Sequence, residues 1–350
     1  MFYLGIDQHK RFSQVAVLDE AGKQVGKARW SHDAPQKIRE YVRRFQPAAA
    51  ALEATRNWDW MFELLEEEVG QVVLSHPART RLIAEAKIKT DQVDARVLAQ
   101  LLRIGFLPTA YAPPREVREG RELHRYRMTL VRYQTQLKNR IHALLDRQGI
   151  MAPEADLFTR RGRVWLVQVD LRPPYRFELD SLLRRLDEAV VERRALEREL
   201  RQRLRADPRT PWLLSVPGIG ETTAYLILHE VGDIHRFASA KHFASYCVLV
   251  PSTRQSADHR YQGHVGRAGN LYLKWALIEA AQVARRHDPA LEALHARLLH
   301  GGSNKATVAV ARHLAVAVYQ VLTREQPYRF RNRTDTQPGK PEGDSWSAES

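Results

Sequence analysis

At 350 residues the chain is long enough for two domains with separate cores, and 44% hydrophobic beside 27% charged residues excludes a disordered protein. A net charge of +14 points to a polyanionic partner, because clustered Lys and Arg release counterions from phosphate backbones. Cys247 is the single cysteine, which excludes an intrachain disulfide and a thiolate zinc cage, and the fourteen His show no zinc-site spacing. The N-terminus, MFYLGIDQHK, lacks the apolar core of a signal peptide, and eighteen apolar residues nowhere run together; the expectation is a cytoplasmic protein with no membrane partner.

Residues 1–110 read as an α/β domain. Phe2, Leu4 and Ile6 alternate with Tyr3, Gly5 and Asp7 as a first strand. Ser13–Leu18 and Lys23–Trp30 follow as strands around the turn residues Asp19–Gly22. Ile38, Val42 and Phe45 space a helix, Ala48–Glu53 forms a short buried strand, Trp58–Val69 a helix and Val72–Ser75 a strand. The order β-β-β-α-β-α-β-α predicts a mixed sheet, by analogy a ribonuclease H-like (RuvC-like) fold.

Residues 111–208 predict a basic, coiled-coil-like helical middle. Leu123, Leu130, Leu137 and Leu144 fall seven apart, and Leu182, Leu186, Ala189, Leu196 and Leu200 continue in helical steps after a loop holding Pro153 and Pro173–Pro174. These leucines fit an intramolecular antiparallel pair or a dimer equally well. Residues 111–210 hold 23 Lys and Arg against 15 Asp and Glu. An outer face of Arg118, Arg121, Arg125, Arg132, Lys138 and Arg140 is expected, with Arg125 and Arg132 as nucleic-acid contacts. Residues 209–325 predict a mainly helical C-terminal domain ending in a helix over Lys305–Leu322, and 326–350 a disordered tail.

Four carboxylates carry the chemistry. Asp7 and Glu53 end two predicted strands, where burial of a lone acid is costly. In Lys89–Thr90–Asp91–Gln92–Val93–Asp94, Thr90 caps a helix whose buried stripe is read as Val93, Val97, Leu101 and Ile104; the i, i+3 pair Asp91 and Asp94 shares a face beside it. Clustered carboxylates repel unless cations neutralise them, and oxygen donors without thiolates suit Mg²⁺ or Mn²⁺ as cofactor in phosphoryl transfer. Further on, Leu213–Ala224 resembles a helix-hairpin-helix turn, in which Gly218 and Gly220 would free backbone amides for a phosphate.

GIDQHK, ALEAT and KTDQVDA resemble the D–E–D–D motifs of the "IS one-ten" family of insertion-sequence transposases, and the resemblance runs in order over about residues 1–320. It implies a RuvC-like catalytic domain and a second domain bearing a serine nucleophile. Ser256, after Arg254–Gln255, matches that serine, with Arg254, Arg260 and Arg267 to stabilise phosphate charge. Ala257 follows it where a glycine is expected, so Ser252 stays an alternative. The resemblance further implies excision and insertion of a mobile element, double-stranded DNA at the element ends and target, a structured guide RNA, and a homo-oligomer in which the serine of one subunit serves the carboxylates of another. Two other readings are a junction-resolving nuclease that uses water, and a nucleic-acid-binding protein without catalysis.

Overall fold

The computed structural model describes residues 1–83, 90–256, 259–266 and 268–329, with backbone alone for 252–256 and 259–265. The chain divides into two compact units, Met1–Pro113 and Pro114–Ser350.

In the first unit, β1 (Phe2–Gln8), β2 (Phe12–Leu18) and β3 (Gln24–Ser31) are joined by tight turns. The second turn closes where Gly22 N–H and Lys23 N–H donate to the Asp19 carbonyl and Oδ1 respectively. Short connections permit only antiparallel pairing, which is what β1–β2 and β2–β3 show. The crossover helices α1 (Pro35–Arg43) and α2 (Trp58–Glu66) deliver β4 (Ala48–Glu53) and β5 (Gln71–Ser75) parallel to β1. The result is a mixed five-stranded sheet of order β3-β2-β1-β4-β5. The expected strand and helix order therefore stands for this part of the chain.

One face buries Leu4, Ile6, Val15, Val17 and Leu52 under Ile38 and Val42 of α1 and Met61, Phe62 and Leu65 of α2. After the short α3 (Pro77–Ile83), α4 (Asp91–Arg103) covers the other face, packing on β1, β2 and β4. Its buried side differs from the predicted stripe. Ala95, Leu98, Ala99 and Leu101 are buried, whereas Val93 and Val97 are half-exposed and Ile104 is exposed. Small residues are the reason. A Cβ on Gly5 would stand 1.9 Å from the Ala95 carbonyl oxygen and 2.5 Å from the Ala99 nitrogen, so the helix rests its alanine side on the strand backbone.

In the second unit, α5 (Arg115–Arg147), α6 (Arg160–Gln168) and α7 (Pro173–Ala206) come first. Helices α5 and α7 run antiparallel: Arg127 Nη2 lies 2.9 Å from Glu197 Oε1, Gln134 Nε2 donates to the Ala189 carbonyl, and Arg147 lies 3.5 Å from Glu178. Leu137, Leu144, Leu182 and Leu186 thus pack within the chain, joined by Leu157 and Leu166. Pro173, placed by sequence in the loop, opens α7 instead, since the first helical turn needs no N–H donor.

The remainder is a helical core built from α8 (Thr210–Leu214), α9 (Glu221–Val231), α10 (Ala240–Tyr246), α11 (Leu271–Ala284), α12 (Pro289–Leu298) and α13 (Ser303–Arg324). Helix α13 is long and apolar enough to span a membrane by length and composition, but Val310, Leu314, Val318 and Val321 are core residues packed among the other helices. A two-stranded hairpin, β6 (Pro251–Ser256) with β7 (His259–Val265), interrupts the helices of the domain expected to be mainly helical.

Candidate active site

Gly5 and Ala51 are register partners on β1 and β4, and both face α4: Gly5 lies against Ala95, and Ala51 packs with Leu98 and Leu101. Two residues further along each strand, on the same face by the period-two alternation, stand Asp7 and Glu53. Asp91 lies one helical turn before Ala95, and Asp94 one turn before Leu98, so both head the buried side of α4. Thr90 fixes that end by accepting the Val93 N–H at 3.3 Å. The sheet edge and the helix start thus converge on one place because glycine and alanines let them approach.

Asp7 is the most enclosed of the group whose contacts are resolved, its side chain 16% exposed against 49% for Asp91. Burial, together with the negative charges of Asp91 and Asp94, pushes the Asp7 carboxyl above the ordinary carboxylate range, although His9 pulls it down. His9 Nε2 lies 3.1 Å from Asp7 Oδ2 and 3.0 Å from Asp91 Oδ2. Glu53 is half-buried at the end of β4, paired in register with Ser75 of β5. A carboxylate whose ionisation is opposed by its neighbours is a donor set completed by a cation, and Asp7, His9 and Asp91 offer ligand atoms all within 4.8 Å of one another. The residues present therefore fit a divalent metal.

Sequence reading missed His9, although it stands two residues beyond Asp7 at the strand end. It also missed an adjoining basic cleft of about 650 Å³, lined by His9, Lys10, Arg11, Phe12, Arg29 and Ser31. The signal lay in the two strands, where Lys10 and Arg11 fill the β1–β2 turn and Arg29 sits across from Gln14 on β3.

In the second unit, Ser256 ends β6 and Ser252 and Arg254 lie along it, with Arg260 on β7; the side chains of all four, and Arg267 entirely, fall outside the described residues. Helix α10 runs into the hairpin and α11 runs out of it. Asn270 joins these two ends: its N–H donates to the Tyr246 carbonyl at 2.7 Å, and its Oδ1 caps α11 through the Tyr272 and Leu273 amides. Asn270 Nδ2 donates at 2.8 Å to Glu230, a fully buried carboxylate that also accepts from Arg125 at 2.9 and 3.1 Å.

Arg125, expected on an outer nucleic-acid face, is thus held in a structural ion pair and lies 5.0 Å over the Tyr272 ring. Arg121 is likewise turned inward, donating to the His229 and Glu230 carbonyls at the end of α9, and Arg118 is buried. Arg132 and Arg140 are exposed as expected, and Lys138 lies over Phe158. The inward turn has a helix-packing cause: α5 lies against α9, so one side of its arginine series meets a helix C-terminus, which favours cations. Gly218 has φ +80°, and a Cβ there would stand 2.2 Å from the Ala280 carbonyl of α11, so its first role is close helix packing. Gly220 opens α9, and among the described residues nothing lies within 4 Å of its Cβ position.

Beside this network His124 is fully buried, and neither ring nitrogen has a hydrogen-bond partner among the described residues. Burial pushes it down to about 4 from 6.5. The folded state therefore binds fewer protons than the unfolded chain, and stability falls as pH drops from 6.5 to 4. The predicted loss approaches roughly 3 kcal/mol, at 1.36 kcal/mol per pKa unit. Urea denaturation of wild type and His124→Phe at pH 7.5 and 4.5 tests this: the acid penalty is expected to be smaller in the variant, with the part due to other groups such as the buried His229 remaining, and an equal penalty in both would reject it.

Two family models match the chain. The DEDD transposase model of IS110 elements, described as Transposase, covers residues 4–149, and that described as Transposase IS116/IS110/IS902 family covers 211–296. A probable family 20 transposase of Pseudomonas aeruginosa is 28% identical over 93% of this chain and 98% of its own length. The transposase for insertion sequence element IS1111A of Coxiella burnetii is 27% identical over 93% of this chain and 91% of its own. A pilin gene-inverting protein of Moraxella bovis is 34% identical over 34% of this chain and 38% of its own length. These matches define a transposase. More narrowly, the chain belongs to the IS110 family of insertion-sequence transposases.

Proposed function

We propose that the protein excises and inserts a mobile DNA element by metal-dependent phosphoryl transfer with a serine nucleophile, directed by a structured RNA. The observation that carries the metal-dependent part is the convergence of Asp7 and Asp91 at one end of the mixed sheet, with Glu53 and Asp94 placed beside them by register and helical spacing. A ribonuclease H-like (RuvC-like) fold for the first unit is part of the same reading, supported by the strand order and by acids at the tips of two adjacent parallel strands.

In this mechanism Asp7, Glu53, Asp91 and Asp94 hold Mg²⁺ or Mn²⁺, which when bound supplies Lewis acidity at the scissile phosphate. Ser256 Oγ forms a bond to phosphorus, losing its proton to solvent or a nearby base. The bridging P–O bond breaks, and the departing sugar oxygen takes up a proton. The phosphoserine link keeps the bond's energy for the reverse step, strand joining, when a second sugar hydroxyl attacks phosphorus and gives up its proton, the P–Oγ bond breaks and the Ser256 oxygen is protonated as it leaves. Arg254, Arg260 and Arg267 are assigned to the developing phosphate charge, and Ser252 is the alternative nucleophile. Gly220, at the open start of the eleven-residue α9, is assigned a phosphate contact in the helix-hairpin-helix sense, with Gly218 shaping the turn. Arg132 is retained as a nucleic-acid contact on an exposed face, and assembly as a homo-oligomer on double-stranded DNA belongs to the proposal.

The test is covalent capture. Purified protein, the flanking noncoding RNA, Mg²⁺ and a DNA carrying the element junction are expected to give a protein–DNA adduct that requires the RNA. Ser256→Ala is expected to abolish it, and Ser252→Ala to leave it. Cleavage without an adduct, unchanged in Ser256→Ala, would replace the serine with water.

A further inference from the structure

The carboxylates account for the metal only as an oxygen-ligated ion, and one group at the centre of the cluster is left over. His9 Nε2 is shielded from solvent, and among the described residues no aligned hydrogen bond reaches it. It lies 3.1 and 3.0 Å from one oxygen each of Asp7 and Asp91. Neighbouring ligands of an octahedral ion with bonds near ~2.1 Å stand roughly 3 Å apart, the bond length times the square root of two. The two nitrogen–oxygen separations are short enough for the three groups to share one ion.

The backbone that carries the imidazole is held in place. The His9 main-chain N–H donates to the Phe12 carbonyl at 2.9 Å, and the His9 main-chain carbonyl accepts from Asn57 Nδ2 at 3.0 Å. Its ring stacks on Phe12 with centroids 4.7 Å apart and planes 30° apart, and Phe12 in turn carries the Arg29 guanidinium 3.9 Å from its centroid. The stacking restricts the orientation of the ring and with it the direction of the Nε2 lone pair. His9 stands just past the end of β1, and its Nε2 comes within 3.1 Å of Asp7 Oδ2.

We infer that His9 is a nitrogen ligand of the divalent metal held by Asp7 and Asp91, and that it tunes the site toward Mn²⁺ over Mg²⁺. The preference follows from donor chemistry. Mg²⁺ takes hard oxygen donors and keeps its waters, whereas an imidazole nitrogen gains more from an ion later in the divalent series. This rests on the carboxylate-metal reading of the proposed function and names a ligand that reading does not contain.

The experiment titrates the full-length protein with Mn²⁺ alone, without nucleic acid, following free Mn²⁺ by electron paramagnetic resonance and nearby nitrogen by electron spin-echo modulation. Wild-type protein is expected to show ¹⁴N modulation from a directly bound nitrogen, replaced by the ¹⁵N pattern in ¹⁵N-histidine-labelled protein, a comparison that needs no substitution. His9→Gln is expected to lose the modulation and to bind Mn²⁺ at least about tenfold more weakly. Its Mg²⁺ affinity, read by competition, is expected to change by less than about threefold. Bound Mn²⁺ that Asp7→Asn removes, yet without nitrogen modulation, would overturn the role of His9 and leave the carboxylate site standing. Mn²⁺ binding that Asp7→Asn does not change would overturn the carboxylate reading, and His9 with it.

Discussion

Asp7→Asn is expected to lower DNA strand cleavage by at least about a thousandfold while leaving the metal-free fold no less stable than wild type. The first half follows from removing the most enclosed carboxylate of the cluster proposed to hold the metal. Losing several kcal/mol of electrostatic stabilisation at a reacting phosphate costs a factor of ten for each 1.36 kcal/mol. The second half follows from the direction of the Asp7 shift. Burial, and then the charges of Asp91 and Asp94, raise its carboxyl above 3.8, so the folded state binds the proton more tightly than the unfolded chain. Metal-free stability is then greatest below the unfolded value and declines as pH rises through the folded one. Asparagine removes that penalty. Urea unfolding across pH 3.5–8 in chelator, beside a cleavage assay in Mg²⁺, separates the two effects. A variant that is both inactive and less stable at pH 8 would mean that Asp7 is a structural acid.

Glu230→Ala is expected to destabilise the second unit by about 3 kcal/mol, the lower part of the range for breaking a buried pair, because Arg125 keeps some solvent contact. The loss has three sources: the guanidinium of Arg125 loses its partner, Arg121 loses a carboxylate 3.8 Å away, and Asn270 Nδ2 loses its 2.8 Å acceptor. Replacing Arg125 and Glu230 together, as in Arg125→Met with Glu230→Leu, is expected to recover part of the stability, since a well-packed apolar pair of similar volume often equals a buried ion pair, while Arg121 and Asn270 stay without the carboxylate. A double-mutant cycle by chemical denaturation measures the coupling, and strictly additive losses would show that the two residues act independently. Because Asn270 also bonds the Tyr246 carbonyl across the feet of the β6–β7 hairpin, Glu230→Ala is expected to reduce Ser256 adduct formation by more than the unfolded fraction explains.

Legibility in the sequence followed the range of the interactions concerned. Alternation of Leu4 and Ile6 with Gly5 and Asp7, the Asp19–Gly22 turn, and the Thr90 cap are contacts among near neighbours, and they were read correctly. The four carboxylates were visible as acids at element ends because an acid interrupting an apolar strand is locally conspicuous. The leucine series was legible as long helices; that the series pair with each other inside the chain was not, since period alone does not name the partner.

What only tertiary structure decided was which side of each element faces inward. In α4 the larger apolar residues Val93, Val97 and Ile104 suggested one stripe, yet the helix turns its alanines to β1 because only Gly5 and small side chains allow backbone contact. That rotation moves Asp91 and Asp94 from beside the buried face to its head, where His9 can join them. The same physics reassigns Arg125, which looks solvated in a basic helix until α9 brings Glu230 against it. Charge and spacing along the chain state what a residue can do; close packing between segments distant in sequence selects which of those roles it takes.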